Sequence, residues 1–210
     1  MQEELLAALE QRFREMLAKQ KPITIETAQL DGKGVTNWTR VQKLAVSNLG
    51  KEEKSLGDMA DVALQIIQED GTTVVFPRIV ERLRDDLYAV NDRLKAEQTD
   101  EYTQDMQKEI ELTLEELIAA LERAQEVSES QGQPGEGQGQ QQNPPLVPES
   151  AELKLIKSAQ LRVNRRTESV DKLMKKAGAD LKPTDAKAIG DVATAQEDVR
   201  QMAEDIVERK

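Results

Sequence analysis

The stretch Val80-Glu81-Arg82-Leu83-Arg84-Asp85-Asp86-Leu87-Tyr88-Ala89-Val90-Asn91-Asp92-Arg93-Leu94 repeats its apolar residues at 80, 83, 87, 90 and 94. A helix turns about 100° per residue, so this three-four spacing stacks five apolar side chains on one face. Glu81, Arg82, Arg84, Asp85 and Asp86 fall mostly on the others. A narrow stripe of this kind belongs to a helix that packs on another helix in heptad fashion. Pro77 reads as its first residue, where a missing N–H removes a donor that would have no helical partner.

Downstream, Thr99-Asp100 breaks the pattern, and Asp is a good N-cap. A second helix then runs to about Val127 with Ile110, Leu114, Leu117, Leu121 and Ala124 in the same register. The short junction favours an antiparallel pair, with one continuous bent rod as the alternative. Upstream, Glu3 to Gln20 carries Leu6, Leu9, Phe13 and Met16 on one face, and Lys21-Pro22 is expected to stop it. Ile23 to Thr27 reads as an ordered loop and Asp31-Gly32-Lys33-Gly34 as a turn. A helix from Asn37 to Asn48 would present Trp38, Val41, Leu44 and Ala45 and end at Gly50. Another, Glu52 to Glu69, would present Leu56, Met59, Ala63 and Ile66 and close at Asp70-Gly71.

Ser128 to Pro148 differs in kind, because its run of Gln, Gly and Pro has little to bury. It is expected to be a flexible linker between a helical bundle or hairpin region (1–127) and a C-terminal helical hairpin (149–210). In that hairpin Leu153, Ile156, Gln160, Val163, Thr167 and Val170 form one seam, and Gly178 follows the helix. Thr184 or Asp185 would cap the last helix, whose seam is Ile189, Val192, Gln196, Val199, Ala203 and Ile206. The fold class expected is all-α: a helical bundle or extended helical hairpins with coiled-coil seams.

Composition agrees. Of 210 residues 38% are hydrophobic but only 2% aromatic, which suits narrow helix-on-helix seams better than a wide core. The formal net charge of −11 repels nucleic acid and anionic membranes at long range. With no Cys and no His, disulfides, thiolate or imidazole metal sites and Ser-His-Asp chemistry are excluded. No apolar run is long enough for a membrane helix. Met1 to Leu5 is not a signal peptide, so any export segment would lie outside this chain.

Acidic neighbours invite a catalytic or metal reading: Asp85-Asp86, Glu115-Glu116, and Asp58 with Asp61. They lack Glu-x-x-His pairs and calcium-loop spacing, and among 40 acidic residues chance adjacency accounts for them. Asp31-Gly32-Lys33-Gly34 lacks the Lys-Ser/Thr and helix of a phosphate loop. The expectation is no catalytic residue, metal or cofactor. Ala151 to Lys182 holds nine basic and four acidic residues, reversing the local sign, whereas Asp100 to Val127 holds nine acidic and two basic. Arg162, Arg165, Arg166, Lys172, Lys175 and Lys176 are therefore candidate interaction residues, either for an acidic partner helix or for the chain's own acidic helix. Trp38, the single Trp, is a packing residue or an exposed anchor.

Gly71 to Pro77, Glu109 to Leu117 and Leu161 to Thr167 resemble a family of exported, helical coiled-coil proteins of planctomycete bacteria. That resemblance implies a periplasmic or envelope location if the parent protein has an export signal, and a cytoplasmic one otherwise. It also implies association with membrane proton-channel complexes of the TolQ/ExbB type, and it brings no catalytic residues. The function expected is a non-enzymatic scaffold with a protein partner, the alternative being an accessory component of such an energy-transducing complex. Heptads satisfied between two copies read the same as heptads satisfied within one, which leaves a homo-oligomer open.

Overall fold

The computed structural model describes residues 2–131, 145–178 and 182–208, with side chains as far as Ser128 in the first segment. Among these residues it contains six α-helices: α1 (Gln2–Asp31), α2 (Arg40–Asp70), α3 (Val75–Lys95), α4 (Glu101–Gln131), α5 (Glu149–Ala177) and α6 (Pro183–Glu208). The fold is all-α.

α1 does not stop at Pro22. It buries Leu6, Leu9, Phe13, Met16, Gln20, Ile23, Thr27 and Leu30, an unbroken three-four alternation across the proline. A mid-helix Pro removes the hydrogen bond to the carbonyl four residues back, at a cost of about 3 kcal/mol. Here Pro22 and Ala18 are both exposed, so water can serve that carbonyl, while Ile23 and Leu30 gain burial. The loop expected at Ile23 to Thr27 is helix.

α2 begins later than expected and runs through Gly50. Thr39 caps it: its hydroxyl accepts from the Gln42 N–H, and the Gln42 side chain accepts from the Thr39 N–H at 2.8 Å. Val41 and Leu44, expected in the seam, are exposed (76% and 58%). Gly50 ends nothing; with Gly57 it lets α3 come close. A Cβ on Gly50 would lie 3.4 Å from the Asn91 carbonyl, and one on Gly57 would lie 2.5 Å from the Tyr88 ring. Gly71 closes the helix in the left-handed region, φ 65°, its N–H donating to Ile67 O.

α3 starts two residues before Pro77, which still falls in the first turn, where donors lack partners. Val80, Leu83, Leu87, Val90 and Leu94 are all fully buried, as are Ile110, Leu114, Leu117 and Leu121 of α4. Asp100 caps α4, accepting from the Thr103 N–H at 3.1 Å. Phe13 and Phe76 meet edge to face with centroids 6.4 Å apart.

Cross-helix bonds set the directions. Glu10 with Gln125, Lys21 with Glu115 and Thr24 with Glu111 run α1 antiparallel to α4. Lys43 with Glu97 and Asp61 with Arg84 do the same for α2 and α3. Contacts between α1 and α2 and between α3 and α4 complete a four-helix ring, with α5 lying on α3 and α4 and α6 on α5 and α3.

Of the expected linker, Ser128 to Gln131 continue α4, and Leu146 and Val147 are buried in the core. Residues 132–144 lie outside the described residues. The Leu146 N–H donates to Thr72 Oγ1 at 2.8 Å, and Glu152 of α5 accepts from the Val74 and Val75 N–H groups at 3.1 Å each. A carboxylate from α5 thus caps the start of α3. α5 buries Ala151, Leu155, Ala159, Val163 and Val170, and α6 buries Ala188, Ala195, Val199, Met202 and Ile206. Leu153, Thr167, Ile189, Gln196 and Ala203, expected in the seams, are exposed. Gly178 follows α5 with φ 56° as expected. Neither Thr184 nor Asp185 occupies the N-cap of α6, because the helix opens at Pro183; Asp185 instead accepts from the Lys182 N–H at 3.2 Å.

Candidate interaction surface and buried polar layer

The three arginines of the basic stripe pair with carboxylates of α3 and α4, whereas its three lysines are exposed. Arg162 pairs with Glu116 of α4, and Arg165 reaches both oxygens of Glu109 at 2.6 and 2.9 Å. Arg166 is buried and forks onto Asp86 of α3 at 2.5 and 3.0 Å, with Arg82 3.4 Å from the same carboxylate. Burial alone would raise the Asp86 pKa, but Arg166, Arg82 and Arg162 together hold it below the usual carboxylate range. Burial lowers the Arg166 pKa, but Asp86, with Tyr102 and Glu109, outweighs it and pushes the pKa upward. Ser169 donates to Asp105 at 2.8 Å. Lys172 lies 3.9 Å from Glu101 with both exposed, and Lys175 pairs with Asp171 within its own helix. Lys176 lines a cavity of about 210 Å³ with Lys172 and Lys182, at the end of α5 beside Tyr102 and Asp185. Trp38 is buried, and its indole N–H donates to the Leu30 carbonyl at 3.0 Å.

The acidic neighbours are bound up in the same way. Asp58 accepts from Lys54 and Tyr88, Asp61 and Asp85 from Arg84, and Glu115 from Lys21. Among the described residues no group of three or more His, Cys, Asp or Glu is placed to hold a metal.

Three features have no counterpart in the sequence reading. The first is a node at Arg93, whose guanidinium donates to Thr103 Oγ1 at 2.8 Å, Asp185 Oδ1 at 2.9 Å and both oxygens of Asp100 at 3.0 Å. It lies 4.7 Å over the Tyr102 ring, tying α3, α4 and α6 together. The second is a polar layer in the core, where Gln20 and Gln107 donate to Glu53 Oε1 at 2.9 and 2.8 Å. The third is a groove of about 430 Å³ between α4 and α5, floored by Ala120, Ala151 and Leu155 and flanked by Arg123, Lys154 and Lys157. Leu161 stands at its edge, 46% exposed. A polar residue at a core register position was the available signal for the layer, while the groove depends on how two helices meet.

The chain matches no family model, no curated protein and no solved structure.

Proposed function

We propose that this chain is a non-enzymatic interaction scaffold that receives an acidic, amphipathic helix of a partner protein in the groove between α4 and α5. The heptad faces of α1 to α4 are covered within the chain, so a partner has to use an outer surface. The groove supports this reading because it joins an apolar floor to Arg123, Lys154 and Lys157, which carry no ion pair among the described residues, whereas Arg162, Arg165 and Arg166 are already matched. Apolar anchors in a groove with charge at its edge are the usual terms of helix recognition. Residues 132–144 are a poor occupant on chemistry, having no Leu, Ile, Val, Met or aromatic residue and one acid, Glu136.

A photo-crosslinker at Ser158 should capture a protein partner from native extract, and changing Arg123, Lys154 and Lys157 to Glu should abolish capture. Equal labelling from a probe at Lys51, on α2, or capture that ignores the charge reversal, would overturn the proposal. An envelope location, and the accessory role beside a proton channel, rest on the family resemblance. Among the described residues no helix is long and apolar enough to cross a membrane. The parent gene's 5′ sequence tests that reading directly.

A further inference from the structure

α1, α2 and α4 each place one long polar residue at a position their apolar period assigns to the core: Gln20, Glu53 and Gln107. All three are fully buried. Both amides donate to Glu53 Oε1, and Gln107 also donates to Thr27 Oγ1 at 3.0 Å. The Thr27 hydroxyl donates in turn to the Ile23 carbonyl, at 2.9 Å. That leaves Glu53 Oε2, Gln20 Oε1 and Gln107 Oε1 buried with no hydrogen-bond partner. Every orphan is an acceptor.

Among the described residues no cation offsets the carboxylate. From α2 itself Glu52 bears on it, and from α4 Glu111, both negative. α1 adds no charge to the layer, because its Lys19 and Lys21 are exposed and paired with Glu15 and Glu115. α3 contributes Asn91, uncharged and also with an unpartnered buried oxygen. An ionised carboxylate enclosed this way is costly, and each unmatched acceptor adds to the cost. One hydrogen on Oε2 removes the charge and turns an orphan acceptor into a donor for the layer.

We infer that Glu53 is a proton-binding site, and that its occupancy sets how tightly α1, α2 and α4 pack around the polar layer. Burial raises the Glu53 pKa to about 7 despite the Gln20 and Gln107 hydrogen bonds, with Glu111 and Glu52 adding to the rise. Its ordinary value is 4.5. The folded chain therefore binds this proton more tightly than the unfolded chain between those two values. Stability falls as pH rises through that window and levels off above it, in total by about 300-fold in the folding constant.

Carbon-detected NMR of the full chain, labelled at the Glu side-chain carboxyl carbon and assigned with Glu53→Gln, reads the site directly. A Glu53 resonance titrating near neutrality is expected. One that titrates in the ordinary carboxylate range, or stays ionised throughout, would overturn the inference. Urea unfolding gives a second measure, since the ratio of folding constants of Glu53→Gln to parent should grow steeply between about pH 4.5 and 7. A ratio independent of pH would count equally against it, and the NMR titration stands even where the variant folds poorly.

Discussion

Replacing Arg93 by Met should destabilise the folded chain by about 3 to 5 kcal/mol, the range for removing one member of a buried ion pair. The Arg93 side chain is 3% exposed and that of Asp185 is 5% exposed, so water screens neither. Without the guanidinium, Asp185 keeps only the Gln98 amide and the Lys182 N–H, each at 3.2 Å. Thr103 and Asp100 lose donors in the same step. Arg93→Lys keeps the charge, but one ammonium cannot reach Thr103, Asp100 and Asp185 together, and a loss of about 2 kcal/mol is expected. Asp185→Asn should recover part of that loss once Arg93 is gone, because it removes a buried charge that no longer has its partner. Urea unfolding followed by Trp38 fluorescence and far-ultraviolet circular dichroism measures each step. At a slope of about 2 kcal/mol per molar urea, Arg93→Met should lower the midpoint by roughly 1.5 to 2.5 M. A midpoint within about 0.25 M of the parent would show that the node is not a source of stability.

Gly57→Ala should destabilise by about 1 to 2 kcal/mol in the parent, since its Cβ would meet the Tyr88 ring at 2.5 Å, yet stabilise by up to about 1 kcal/mol in a Tyr88→Ala background; a double-mutant cycle checks the change of sign. Leu87→Ala, at a fully buried position, should cost about 2 to 5 kcal/mol in the same unfolding assay. Arg165→Gln should cost at most about 1 kcal/mol because Arg165 is half-exposed, whereas Arg166→Met leaves the buried Asp86 with only the longer Arg82 contact at 3.4 Å and should cost several times more, with hydrogen exchange reporting earlier opening of α5. Asp86 has a lowered pKa, so its contribution to holding α5 is complete above the ordinary value of 3.8 and is lost as pH falls through the lower folded value. Asp86→Asn should therefore flatten the acid limb of α5 exchange protection.

The helices that follow an uninterrupted apolar period, Val80 to Leu94 and Ile110 to Ala124, were legible because every seam position in them is apolar, the buried Asn91 and Arg93 lying beside the seam. α1 is longer than expected because Pro22 reads as a helix breaker, and Gln20 and Thr27, polar residues in seam positions, hide the period that continues on either side of it. Those same polar residues build the layer around Glu53, so the gap in the pattern and the unexpected chemistry have one cause. Gly50 looks the same in sequence whether it ends a helix or admits a neighbouring backbone; only the Asn91 carbonyl beside it distinguishes the two. Net charge foretold that α5 could meet α4, but not that Arg166 would reach past it to Asp86 on α3. Charge counts carry a sign and no direction.

The pairing of α1 with α4 encloses α2 and α3, and this has a consequence in time. α2 and α3 can close on each other as soon as both have left the ribosome, while α1 must wait for about 100 further residues before all of α4 exists. At about 5 to 20 residues per second that delay is roughly 5 to 20 s, during which Leu6, Phe13, Met16 and Ile23 have at most α2 to cover them. Because the two helices run antiparallel, docking starts at Leu30 and Thr27 and zips backward towards Leu6 as α4 emerges. The N-terminal turns are thus the first part of the bundle to be made and the last to be buried, and they are the segment a nascent-chain chaperone has longest to hold.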